Sequence, residues 1–135
     1  MNSITVPATL DELEAVQKFV ATELEAADCP GKARLQIAVA VEEIYVNIAR
    51  YAYHPNVGEA TICCTVGGDP LRVTIQFLDR GKPFNPLERE DTDTTLSAEE
   101  REIGGLGILL VKRSMDAVTY TYENGFNILT IRKGW

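Results

Sequence analysis

Two pairs of β-forming runs, each joined by tight-turn chemistry, constrain this chain more than any other feature. EATICCTV (59–66) and LRVTIQFLD (71–79) flank Gly67-Gly68-Asp69-Pro70, and AVTYTYE (117–123) and FNILTIR (126–132) flank Asn124-Gly125. Glycine and asparagine tolerate the positive φ that short hairpins demand, so both junctions predict hairpins. The sheet is therefore at least partly antiparallel. A further short strand, SITV, lies at residues 3–6.

The helices are read from spacing. Thr9 followed by Glu12 fits a capping box, with Thr9 as N-cap of a helix carrying Leu13, Val16, Val20 and Leu24 at helical intervals. A break at Asp28 to Gly31 separates it from a longer helix expected from about Lys32 to Tyr53, with one apolar stripe of Ile37, Val41, Ile44, Ile48 and Ala52. His54-Pro55-Asn56 ends that helix. GGLGILLVKRSM (104–115) reads as a glycine turn feeding a short apolar helix.

A length of 135 residues with 45% hydrophobic content predicts one domain, 1–135, burying roughly two-thirds of its unfolded surface. The start, MNSITVPATL, has no basic segment leading into an apolar run, and no stretch of about 18 apolar residues occurs, so a soluble, cytosolic (cytoplasmic) protein with no membrane partner is expected. Cys29, Cys63 and Cys64 form no C-x-x-C pair, which argues against a thiolate metal site. As neighbours in a strand, Cys63 and Cys64 should face opposite ways, with one in the core.

The net charge of −7 and pI near 4.7 argue against direct nucleic-acid binding, which needs clustered Lys and Arg to displace counterions. Between Glu88 and Glu102, seven acids stand against Arg89 and Arg101, so this segment supplies −5 of the −7. It belongs to an aperiodic polar stretch, 80–103, long enough to carry a function of its own. A solvated loop and a mobile lid over a ligand, at about 85–103, both fit it.

Three boxes remain. On the long helix Glu43 and Asn47 stand at i and i+4, about 5–6 Å apart on one face beside the apolar stripe, with Tyr51 a turn further. Taken alone, such a pair is an ordinary surface couple, and Glu42, about 100° away, should face solvent. Asp79 closes a strand and leads into Arg80-Gly81-Lys82-Pro83-Phe84, a common strand-ending turn when taken alone. Gly104-Gly105-Leu106-Gly107 opens a helix and offers unhindered N–H groups at its positive end to a phosphate. It is neither a Walker A loop nor a dinucleotide fingerprint.

The order and spacing of EEIYVN (42–47), DRGKPF (79–84) and GGLGI (104–108) resemble the nucleotide site of the ATPase superfamily shared by gyrase, heat-shock chaperones, sensor histidine kinases and mismatch-repair proteins. Within it the chain is most similar to the small bacterial anti-sigma-factor serine kinases. Pro83, where the wider superfamily usually has a second glycine, and the continuation LLVKRSMDAVTY carry that narrower likeness, which runs from about Ile37 to Tyr120.

The resemblance implies a histidine-kinase-like ATPase fold: a two-layer α/β (α+β) sandwich, its mixed, mainly antiparallel sheet covered by helices on one face. It implies ATP and Mg²⁺ as cofactors. Asn47 would be the metal ligand through its amide oxygen, and Glu43 the catalytic base. Asp79 would bind the adenine amine, Gly81 would let backbone approach the ring, and Gly104, Gly105, Leu106 and Gly107 would contact the phosphates. Lys82, Arg101 and Lys112 all remain open as phosphate contacts, while His54 has no partner for a triad. The implied activity is a serine/threonine-protein kinase in transcription regulation that sequesters a sigma factor and phosphorylates a small anti-sigma antagonist protein. Homodimers are common in the resembled family. A non-catalytic ATP-binding module that switches partners would use the same boxes.

Overall fold

A computed structural model describes residues 2–88 and 105–135. The expected lid lies outside the described residues from 89 on, as does Gly104. Five strands, β1 (Asn2–Pro7), β2 (Glu59–Gly67), β3 (Arg72–Asp79), β4 (Ala117–Glu123) and β5 (Phe126–Gly134), form one sheet in the order β1-β2-β3-β5-β4. All four pairings are antiparallel. With β5 lying between them, β3 and β4 run in the same direction, and α3 (Gly105–Ser114) belongs to the connection between them.

Both expected hairpins form. The second turns through Asn124 and Gly125 at φ +54 and +82, the left-handed pair that a two-residue turn requires. Along β3 burial alternates strictly, with Val73, Ile75, Phe77 and Asp79 facing inward. Against them pack Val16, Val20 and Leu24 of α1 (Leu13–Ala26) and Ile37, Val41 and Ile44 of α2 (Gly31–Asn47), with Val111 of α3 and Met115 just after it completing the core. Cys64 joins that core, where burial pushes its thiol up to about 12, and Cys63 is half-buried on the opposite face.

Two helix boundaries differ from the sequence reading. Thr9 is extended and precedes a single 3-10 turn, Leu10–Glu12, but its hydroxyl makes no capping bond. The entry is fixed instead by backbone and by the buried Tyr45: the Glu12 N–H donates to the Thr9 carbonyl (3.1 Å), and the Tyr45 hydroxyl lies 2.7 Å from the Thr9 carbonyl and 3.1 Å from that of Pro7. At the other end, α2 stops at Asn47 and continues as one π-helical turn, Ile48–Ala52. The Ala52 carbonyl there accepts the Lys82 N–H (3.1 Å) from the loop after β3. Such wide turns recur where a helix passes a functional site.

Candidate nucleotide site

The π turn, the end of β3 and the start of α3 converge on a cavity of about 440 Å³. Ile44, Ile48, Phe77, Ile108 and Leu129 give it an apolar lining, and Tyr51, Pro83, Phe84 and Tyr120 add rings. Its polar side chains are Asn47, Asp79, Lys82 and Asn127. Apolar walls with a few convergent polar groups are the general form of a small-molecule site.

Asp79 is only 6% exposed. Its Oδ1 accepts the Gly81 N–H (2.9 Å) and the Asn127 Nδ2 (2.9 Å). Burying a carboxylate demands such donors. Gly81 is needed for a reason the sequence does not disclose. A Cβ at this position would collide with the Ala52 carbonyl, so the glycine lets the loop close against the π turn, and Gly81 itself is not among the residues lining the cavity.

Asn47 lies at the last position of α2, half-buried and lining the cavity. Glu43, one turn earlier, is half-buried but not among the lining residues, and Glu42 is exposed. Neither the Asn47 amide nor the Glu43 carboxylate makes a hydrogen bond among the described residues. Gly105, Leu106 and Gly107 form the first turn of α3, and Ile108 in that turn reaches the cavity. Of the basic candidates, Lys82 lines the cavity, Lys112 sits half-buried on α3, and Arg101 lies outside the described residues. Arg80 is drawn elsewhere, its guanidinium 4.5 Å from the centre of the Phe126 ring.

One residue of the site was not anticipated. Asn127, 7% exposed on β5, sits opposite Asp79 in the strand register. Its Nδ2 donates to Asp79 Oδ1 (2.9 Å) and to the carbonyls of Lys82 (3.0 Å) and Gly81 (3.3 Å), while its Oδ1 accepts the Phe84 N–H (3.2 Å) and the Tyr120 hydroxyl. The signal was present in FNILTIR: alternation places Asn127 on the same face as Leu129 and Ile131, and an amide on a core face needs partners.

Residues 6–133 match the histidine kinase-like ATPase domain. The chain belongs to that family. It is 29% identical over 93 residues to the serine-protein kinase RsbW of Bacillus cereus, covering 67% of this chain and 58% of that protein. To the serine/threonine-protein kinase BtrW of Bordetella bronchiseptica it is 26% identical over 98 residues, covering 73% of this chain and 68% of that protein. The Listeria monocytogenes RsbW is 30% identical over 98 residues, 69% of this chain and 61% of that one. The match thus spans less than two-thirds of either RsbW. A solved chain from the SiaB-SiaC complex of Pseudomonas aeruginosa shares the fold, with a TM-score of 0.61 over 98% of this chain and 89% of that one, at 16% identity. Among the described residues no helix is long and apolar enough to cross a membrane.

Proposed function

We propose that this protein is an ATP- and Mg²⁺-dependent serine/threonine-protein kinase acting as an anti-sigma regulatory factor in the cytoplasm, its substrate a seryl or threonyl side chain of a small antagonist protein. The observation that carries the reading is the convergence of Asp79 and Asn47 on one cavity from separate elements, with Ile108 of the first turn of α3 lining the same cavity. The similarity to kinases over about two-thirds of the chain supports it.

The residues fit the group. Asp79, fixed by two donors, lines a largely apolar cavity as an acceptor for the adenine amine. Guanine presents a carbonyl at that place, so GTP should bind poorly. Asn47 offers an unclaimed amide oxygen, and Mg²⁺ is a hard ion that takes a few protein oxygens and fills the rest of its shell with phosphate and water. The N–H groups of Gly105 to Gly107 add the positive end of α3. When bound, ATP supplies the γ-phosphoryl group, with Mg²⁺ neutralising its charge. Glu43, one turn from Asn47, takes the proton from the attacking hydroxyl.

A second reading has its own support: Glu43 is not among the residues lining the cavity. In that reading the site binds ATP without transferring phosphate, and the protein holds or releases a regulatory partner. Two measurements decide. Titration calorimetry of Asp79→Ala against wild type tests nucleotide binding, with an expected loss of roughly 10- to 150-fold for one charge-assisted hydrogen bond. Transfer of labelled γ-phosphate to the co-purifying protein tests catalysis. Equal ATP affinity in the two proteins refutes the adenine assignment, and an unlabelled authentic partner leaves the binding module as the function.

A further inference from the structure

We propose that Asn127 is a positioning residue that sets the base selectivity of the site by locking the Asp79 carboxylate in one orientation. This rests on the reading of Asp79 as the adenine contact.

The Asn127 amide can sit only one way round. Its NH₂ group faces three acceptors, Asp79 Oδ1, Gly81 O and Lys82 O, while its oxygen faces two donors, the Phe84 N–H and the Tyr120 hydroxyl. Turning it over would set oxygen against three oxygens. The clamp it forms therefore has a fixed polarity, and it passes to Asp79 through a 2.9 Å bond. With the Gly81 N–H also on Oδ1 at 2.9 Å, one carboxylate oxygen is taken by two donors and the plane of the group is set. The same amide ties down both carbonyls of the Gly81-Lys82 step and the N–H of Phe84, so the acceptor and the loop flanking the cavity are held by one side chain.

A fixed carboxylate accepts at one place. Adenine presents its 6-amino donor there. Hypoxanthine presents an oxygen at position 6 and moves its donor to N1–H, one ring atom away. A carboxylate free to turn could follow that donor, whereas a clamped one cannot. Loss of the clamp should therefore cost adenine binding and spare hypoxanthine, narrowing discrimination. A residue that merely supported the fold would weaken both bases alike.

The test is calorimetric binding of ADP and IDP to wild type, Asn127→Ala and Tyr120→Phe, with thermal unfolding of each as a check on folding. Wild type should prefer ADP by about tenfold or more, and Asn127→Ala should bring the ratio within about threefold, chiefly by losing ADP affinity. Tyr120→Phe keeps the ring packing and removes one donor to the amide. It should shift the ratio the same way by roughly two- to fivefold, and it carries the test if Asn127→Ala does not fold. Equal weakening of both nucleotides, or an unchanged ratio in the folded variants, overturns the proposal. Asp79→Ala separates the two layers of argument: unchanged ADP affinity there refutes the adenine reading itself, whereas a loss there beside an unmoved ratio in the clamp variants refutes only the clamp.

Discussion

The two ends of the cavity are built on opposite plans. At the β3 end Asp79, Gly81, Lys82, Phe84, Asn127 and Tyr120 are joined by hydrogen bonds from one part of the protein to another. At the α2 end Asn47 lines the cavity and Glu43 stands one turn before it, outside the lining, both half-buried and with no hydrogen-bond partner among the described residues. The first end is complete without a ligand and so belongs to the folding equilibrium. The second holds donors and acceptors in reserve, which is what a site for a hard cation and a reacting group requires. Changes at the first end should therefore register in the stability of the ligand-free protein, and changes at the second should register only in function.

The largest effect tests the second end. Glu43→Gln keeps shape and hydrogen-bonding capacity but removes the proposed proton acceptor, so single-turnover phosphotransfer to the partner should fall by about 10²–10⁴-fold. Nucleotide affinity should change far less. Asn47→Ala should lower Mg²⁺-dependent affinity toward the value wild type shows in EDTA, because its amide oxygen is the proposed ligand. Both variants should unfold without ligand within about 0.5 kcal/mol of wild type, as expected for substitutions outside a bonded network. A large loss of ligand-free stability in either would erase the contrast between the two ends.

A smaller effect tests the first end. In Gly81→Ala the new Cβ meets the Ala52 carbonyl, which is backbone and cannot swing aside. Overpacking of this kind costs about 1–3 kcal/mol, a fall of a few degrees or more in the ligand-free Tm for a domain of this size. Nucleotide affinity should fall with it, since the loop that would recoil carries Lys82 and its Gly81 N–H donates to Asp79. An unchanged Tm would mean that the loop and the π turn do not meet as described.

What was legible in the sequence divides by the range of the contacts involved and not by the end of the cavity. The hairpins, the sheet-facing stripe of α2 and the positions of Asp79 and Asn47 are written in local spacing, because turn chemistry and helical period act within a few residues. The π turn was not legible: the apolar stripe continues at α-helical intervals through Ala52, and the departure accompanies a bond from Lys82, thirty residues further along the chain. Thr9 marked the entry to the first helix correctly, yet its hydroxyl makes no cap and its carbonyl is engaged by Tyr45 and Glu12. The close approach of Gly81 to the Ala52 carbonyl is likewise invisible in the sequence, where an Asp-x-Gly turn shows only that a glycine stands there. Each of these differences arises from a contact between distant segments, which period and propensity do not encode.

The smallest effect concerns Tyr53, which pins the far side of the same loop. Its hydroxyl accepts the Arg80 N–H (2.7 Å) and donates to the Glu59 carbonyl (2.5 Å), tying the end of the π turn to the start of β2 and the end of β3. Tyr53→Phe removes both bonds, but water can reach the freed groups, so the cost should be about 0.5–1.5 kcal/mol. The pH dependence identifies the source of that cost. Burial raises the phenol above its ordinary value of 10.0, opposed by the Arg80 N–H and reinforced by the charge of Asp79. A raised value in the folded state means the folded protein holds the proton more tightly than the unfolded chain. The contribution of the neutral hydroxyl is therefore fully present below the ordinary tyrosine value and is lost as pH rises through the folded one. The stability gap between wild type and Tyr53→Phe, measured by urea titration, should stay constant from pH 7 to about 9.5 and shrink above about 10. A gap that widens with alkali would show that ionisation strengthens the anchor. In that case the Arg80 contacts, and not the bond to Glu59, would be what holds the loop.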